Sequence, residues 1–188
     1  MRVSPLLLSL CAPMLLGAQS YTVMTYNIRY ANGHDNKNRW ELRKEALANT
    51  VLEHRPQVIG LQEVLHEQLT YVKYRWPGYA HYGVGRDNGQ ESGEYAPIFY
   101  DTATFALLEG RTIWLSPTTG LPSMGWDATC NRIVTLVVLR DRASGDSLWV
   151  ANTHWEAAGD EARHHSARIV VDLLAGPINR KSTRLNSS

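Results

Sequence analysis

Apolar and polar positions change period along the chain, with strands and helices alternating first and hairpins following. Residues 21–28 alternate and are rich in β-formers, which predicts a strand. Residues 32–38 form a polar loop. Over 41–54, Leu47, Ala48, Val51 and Leu52 make a helical stripe that stops before Pro56. The short apolar run 58–61 is typical of a buried strand. Over 64–74, Leu65, Leu69 and Val72 return to helical spacing until Trp76-Pro77-Gly78 breaks it. Short strands follow at 79–84, 97–100, 105–108 and 112–115, separated by turns containing Gly or Asp, with a polar, glycine-rich surface loop at 85–93. The connection 116–131 is long enough to suggest a functional loop. Residues 132–140 and 147–153 read as a hairpin joined through Ala143-Ser144-Gly145-Asp146. A last helix, 160–174, carries Ala162, Ser166, Ile169, Val170 and Leu173 on one face. This order predicts an α/β protein of two packed sheets flanked by helices.

The ends stand apart from that pattern. Arg2, the apolar stretch from Leu6 to Leu16 and the small-x-small site Ala18-Gln19-Ser20 read as a secretory leader, residues 1–20, too short to span a bilayer. A lipid anchor on Cys11 is the alternative, though Leu10 stands where a small residue is expected. A secreted or periplasmic product follows, with no transmembrane segment after leader removal. The domain is then 21–177, and the polar run 178–188 reads as a tail outside it, of unrelated or artefactual origin. Without the leader Cys130 is the only cysteine, so no intrachain disulfide forms and Cys130 reads as a small apolar filler. The whole chain has 19 basic and 18 acidic residues. Setting aside Arg2, Arg180, Lys181 and Arg184 leaves the acids in excess, unlike a dedicated nucleic-acid binder.

Several polar residues sit at the edges of apolar runs, where a sheet presents side chains to a ligand. Glu63 falls just past a buried strand, a natural hard ligand for Mg²⁺ or Mn²⁺; its alternative role is to complement the dipole of the helix that follows. Asn27 can touch a phosphate oxygen or a metal's water, and can equally close an Asx turn. Arg132 opens a strand and suits bidentate phosphate capture or a surface ion pair. His154 and Asn152 end a strand; Glu94 lies in a loop. Trp126 and Asp127 are candidates for a pocket lining. His164 and His165, adjacent on a helix, do not face one another and make no zinc pair. The chain has no His-Glu-x-x-His, Gly-x-Ser-x-Gly, Walker or dinucleotide motif.

Taken in order, Thr25-Tyr26-Asn27-Ile28-Arg29, Leu61-Gln62-Glu63-Val64, Gly93-Glu94-Tyr95-Ala96-Pro97-Ile98-Phe99-Tyr100, Asn131-Arg132-Ile133-Val134 and Asn152-Thr153-His154 resemble the endonuclease/exonuclease/phosphatase superfamily of metal-dependent phosphoesterases. The resemblance implies a four-layer α/β/β/α sandwich of two mixed sheets, incomplete at the C-terminus. It implies Mg²⁺ (or Mn²⁺) on Glu63, with Asn27, Asn152 and Arg132 at the substrate phosphate. It also implies a catalytic His154 buttressed by Glu94, a pairing that would raise the imidazole's cationic fraction. The substrate class it implies is a phosphate ester: a sugar phosphate, lipid headgroup, nucleotide or nucleic acid. A monomer is expected. The family's Gly-Asp-(Phe/Leu)-Asn and Ser-Asp-His motifs are absent, since Gly145-Asp146 and Gly159-Asp160 are followed by Ser147 and Glu161. After His154 the chain has Trp155-Glu156-Ala157 where similar members carry (Phe/Leu)-Asp-His. The expectation is therefore a phosphoester hydrolase whose 188-residue form does not turn over substrate, the alternative being a non-catalytic binding protein on the same scaffold.

Overall fold

Two sheets face each other, and the apolar periodicity decides which face of each strand turns inward. The structure, a computed structural model, describes residues 19–185, with side chains described through residue 175. Leader residues 1–18 and the last three residues of the expected tail lie outside that range.

The first sheet contains β1 (Val23–Asn27), β2 (Val58–Gln62), β3 (Tyr79–Tyr82) and β4 (Ile98–Asp101) in the order β1-β2-β4-β3. β1 and β2 run parallel, and β4 is antiparallel to β2 and β3. The parallel pair is joined by α1 (Trp40–His54), as a crossover requires. All of β2 is buried, which is why its sequence is a continuous apolar run and not an alternation. Its odd positions Ile59 and Leu61 pack with Phe99 against Trp40, Leu47 and Val51 of α1 and against Leu69, Val72 and Trp76 at α2 (His66–Arg75). Its Val58 points the other way, joining Ile98, Tyr100, Phe105, Val137 and Leu139 in the core between the sheets.

The second sheet is β5 (Phe105–Trp114), β6 (Ile133–Asp141) and β7 (Ser147–Thr153), antiparallel throughout. It is not the mixed sheet expected. On its outer side lies α3 (Asp160–Leu185), whose Val170 and Leu174 line a cavity with Val134, Ala151 and Thr153. The four layers expected are thus present. No helix among the described residues is long and apolar enough to cross a membrane.

One polar side chain clips the sheets together. Asn152 on β7 donates Nδ2 to the carbonyls of Leu61 (2.7 Å) and Pro97 (3.0 Å) and accepts Gln62 Nε2 at 2.7 Å. Gly60 makes room: a Cβ there would lie 2.8 Å from Asn152 Oδ1.

Other boundaries differ for identifiable reasons. The two expected strands at 105–108 and 112–115 are one, β5, bent by a bulge between Leu107 and Glu109. Gly110 looks like a turn residue in the sequence. In the fold it admits the Tyr82 ring, which a Cβ would meet at 2.6 Å. α2 starts at His66, because Val64 first bridges to Tyr95. The α3 backbone continues past 174 to Leu185, so the expected tail is helical there. Trp126 and Asp127 both serve contacts with α3. Asp127 accepts the N–H groups of Glu161 (3.3 Å) and Ala162 (2.7 Å), satisfying orphan donors at the start of α3. Trp126 stacks on His165 at 4.3 Å.

Candidate active site

β1, β2 and β7 end at the same rim, and each delivers a polar residue there. Glu63 follows β2 with φ +59°, the left-handed region that costs a side-chain-bearing residue of order 1 kcal/mol. The kink has a local cause: β2 ends at Gln62, and Val64 is already committed to Tyr95, whose N–H donates to the Val64 carbonyl at 2.8 Å. Between these two anchors Glu63 turns out to the rim. Its Oε1 accepts Asn27 Nδ2 at 2.8 Å, and its Oε2 accepts the Tyr30 N–H at 3.2 Å. Asn27 Oδ1 accepts the Arg29 N–H at 2.9 Å, so the Asx turn and the site role of Asn27 coexist.

His154, just past β7, brings Nε2 to 3.6 Å from Glu63 Oε1, too far for a hydrogen bond and near enough for charge to matter. Its pKa lies below the ordinary histidine value. Burial is the main cause, the Arg132 guanidinium adds to it, and Glu63 and Glu94 offset it only in part. The surroundings therefore favour the neutral imidazole, the opposite of the cationic enrichment expected.

Glu94 does not buttress His154. It forms a two-pronged pair with Arg86, Nη1 at 2.9 Å and Nη2 at 3.2 Å, because the 85–93 loop folds back and bonds the Arg86 N–H to the Glu94 carbonyl. Glu94 nonetheless lines one small pocket with His154, Arg86, Asn131 and Arg132.

Arg132 is buried in that pocket's wall. Among the described residues its one side-chain hydrogen bond is Nε to Glu156 Oε2 at 3.2 Å. Glu156 is fully buried at its side chain. Burial opposes its charge, but the N–H groups of Ala158 and Thr129, the Arg132 guanidinium and the Thr129 hydroxyl outweigh that and hold its pKa at about 2. Asn152, expected at the phosphate, has both amide hydrogens and one bond to its Oδ1 taken up by the inter-sheet clip.

The structure thus gathers Glu63, Asn27, His154 and Arg132 at one rim with Glu94 behind Arg86, and turns Asn152 into a support. Sequence reasoning missed Arg86 and Gln68. The only signal for Arg86 was a basic residue inside a glycine-rich loop, and Gln68, a polar residue on a helix, carried none although it is fully buried.

A divalent cation suits Glu63. Mg²⁺ is commonly held by one or two carboxylates and keeps several waters. Glu63 supplies one partly exposed carboxylate with two donors on its four lone-pair sites. Among the described residues no three His, Cys, Asp or Glu side chains form a fuller cage.

Known proteins share this arrangement of chain. A structure of an endonuclease/exonuclease/phosphatase from Bacteroides vulgatus is 40% identical with TM-score 0.77, over 79% of this chain and 57% of that one. A mannosyl-6-phosphatase of Bacteroides thetaiotaomicron is 38% identical with TM-score 0.80, over 82% and 59%. The CCR4-Not complex 3'-5'-exoribonuclease subunit Ccr4 of Coccidioides immitis is 26% identical over 81% of this chain and 24% of its own length. The chain therefore spans under two thirds of each of these proteins. The sequence profile of the Endonuclease/Exonuclease/phosphatase family matches residues 24–176, and the chain belongs to that family.

Proposed function

We propose that this chain carries the metal-binding and phosphoryl-binding side of a Mg²⁺- or Mn²⁺-dependent phosphoester hydrolase. The observation that carries the reading is Glu63: a partly exposed carboxylate in a strained backbone conformation, steadied by Asn27 and Tyr30 and set 3.6 Å from an imidazole. Strain of this kind persists where surrounding structure over-determines it, and it clusters at functional sites. When bound, the cation supplies Lewis-acid polarisation of a phosphoryl oxygen. The remaining work belongs to side chains. Neutral His154 donates one ring N–H to a phosphoryl oxygen, and the arriving negative charge raises its proton affinity as charge develops. Arg132, tethered through Nε to Glu156, keeps Nη1 and Nη2 for further phosphoryl oxygens. Glu94 holds Arg86 in the same pocket wall.

The substrate is a phosphate ester. The 38% identity to a mannosyl-6-phosphatase favours a small phosphorylated molecule, as does the excess of acids over bases once the leader and tail are set aside. Export follows from Arg2, the apolar stretch and Ala18-Gln19-Ser20. N-terminal sequencing of exported protein is expected to find Tyr21, within a couple of residues, and an intact Met1 would refute it.

The test is ³¹P relaxation of inorganic phosphate with Mn²⁺ and the 188-residue chain. Inner-sphere broadening that needs protein, disappears in Glu63→Ala and weakens in His154→Ala is the expected result. Mn²⁺ that binds the chain without sensing phosphate would overturn the reading. Aryl phosphate mono- and diesters are expected to show background turnover only. Turnover that vanishes in Glu63→Ala would instead mean that the residues present suffice.

A further inference from the structure

The backbone that steadies Glu63 is itself held by two side chains from two different helices. After β1, residues Ile28 to Ala31 run across the rim, with Arg29 at φ +55°, a second strained position besides Glu63. Arg43, on α1, reaches back to this segment: its guanidinium donates to the carbonyls of Ile28, Arg29 and Tyr30, and through Nε to Asn38 at 2.7 Å. Gln68, on α2, approaches from the other side and is fully buried. Its Oε1 accepts the N–H groups of Ala31 and Leu65, both at 3.1 Å, and its Nε2 donates to the Arg29 carbonyl at 3.0 Å. Gln68 thus ties the strand-end segment to the turn just after Glu63. Four consecutive residues are gripped, and the Tyr30 N–H in their midst is one of the two donors on the Glu63 carboxylate.

We propose that Gln68 and Arg43 are positioning residues for Glu63: they lock the 28–31 segment so that Tyr30 and Asn27 aim the carboxylate's free lone pairs at the cation. The proposal rests on the reading of Glu63 as the metal ligand. A glutamine held at the third position of a helix merely to cap it would need only the Leu65 bond. The bonds to Ala31 and Arg29 serve the rim. Arg43 at a helix surface would ordinarily seek solvent or a carboxylate. Here it spends its donors on backbone carbonyls that no strand partner satisfies.

The experiment compares Gln68→Ala and Arg43→Lys with Val72→Ala, a core truncation on the same helix as Gln68 that removes none of these hydrogen bonds. Two quantities are read on the 188-residue chain: hydrogen exchange of the Tyr30 amide, and Mn²⁺ affinity by calorimetry. Losing support behind a metal ligand typically costs 10–100-fold in affinity. Gln68→Ala is expected to speed Tyr30 exchange and weaken Mn²⁺ about tenfold or more. Arg43→Lys, which keeps the charge but cannot fork across three carbonyls, is expected to do both to a smaller degree. Val72→Ala is expected to lower Tm without moving either. Exchange and affinity changes that merely track Tm across all three variants would overturn the proposal, as would an unchanged Tyr30 amide in Gln68→Ala. Wild-type chain that binds no Mn²⁺, or Glu63→Ala that binds it as well as wild type, would instead strike the metal reading. The Tyr30 exchange data would still decide whether Gln68 and Arg43 hold the segment.

Discussion

Glu63 stands at the rim beside His154 and Glu156 behind Arg132, and the two carboxylates have opposite surroundings. Glu156 is sealed, with zero exposure of its side chain, and Thr129, Ala158 and Arg132 together fill its oxygens. Glu63 has 22% of its side chain exposed, only two donors, and a backbone conformation that a side chain resists. Satisfied valences and burial mark a group that holds the fold. Open valences and strain mark one kept for a ligand. Charge alone separates them poorly, because both are glutamates within three residues of a strand end.

The comparison breaks most visibly in stability. Glu156→Ala leaves Arg132 buried without its partner, and breaking such a pair costs about 3 kcal/mol or more. Calorimetry is expected to show Tm lower by about 10 °C, on the scale of a few degrees per kcal/mol for a chain of this size. Glu63→Ala is expected to cost about 1 kcal/mol or less, and Glu63→Gly to be the more stable of the two by about 1 kcal/mol, since glycine accepts the positive φ. A large destabilisation by Glu63→Ala would erase the distinction.

Next comes Asn152. Replacing it with alanine strips the buried Leu61 carbonyl of its side-chain donor and takes one partner each from the Pro97 carbonyl and the Gln62 amide, at a cost of about 2 kcal/mol in urea unfolding. A neutral result there would return Asn152 to the list of ligand-facing groups.

Acid sharpens the contrast further. The folded pKa of Glu156, about 2, lies below its ordinary 4.5. Its contribution is therefore present above about 4.5 and is lost as pH falls through about 2. Glu156→Gln is expected to flatten stability against pH across that window. For His154 the folded pKa is lowered, so protonation favours the unfolded chain, and His154 subtracts stability as pH falls below its ordinary 6.5. His154→Gln is expected to remove that smaller slope, read as Tm between pH 7 and pH 5.

The sheets, the helices and the rim position of Glu63, Asn27 and His154 were legible in the sequence, because each follows from period and from where an apolar run stops. Partner choice was not. Glu94 immediately follows the 85–93 loop, whose fold-back, set by turn hydrogen bonds, hands it to Arg86. Asn152 carries the same residue type and strand-end position as Asn27. Only the glycine opposite it, Gly60, decides that one amide is a clip and the other faces the rim. Gly110 was misread as a turn for the converse reason: the ring it admits, Tyr82, comes from the other sheet. Contacts between distant segments leave no period in the chain.

The most direct test of the division between the two carboxylates is thermal unfolding of the 188-residue chain with and without Mn²⁺, for wild type and Glu63→Ala. A ligand at a hundred times its Kd adds about 2.7 kcal/mol, or roughly 5–10 °C here. The account predicts that rise in wild type, and in Glu63→Ala a Tm near the metal-free wild-type value that Mn²⁺ does not move. An equal Mn²⁺-induced rise in both proteins would contradict it.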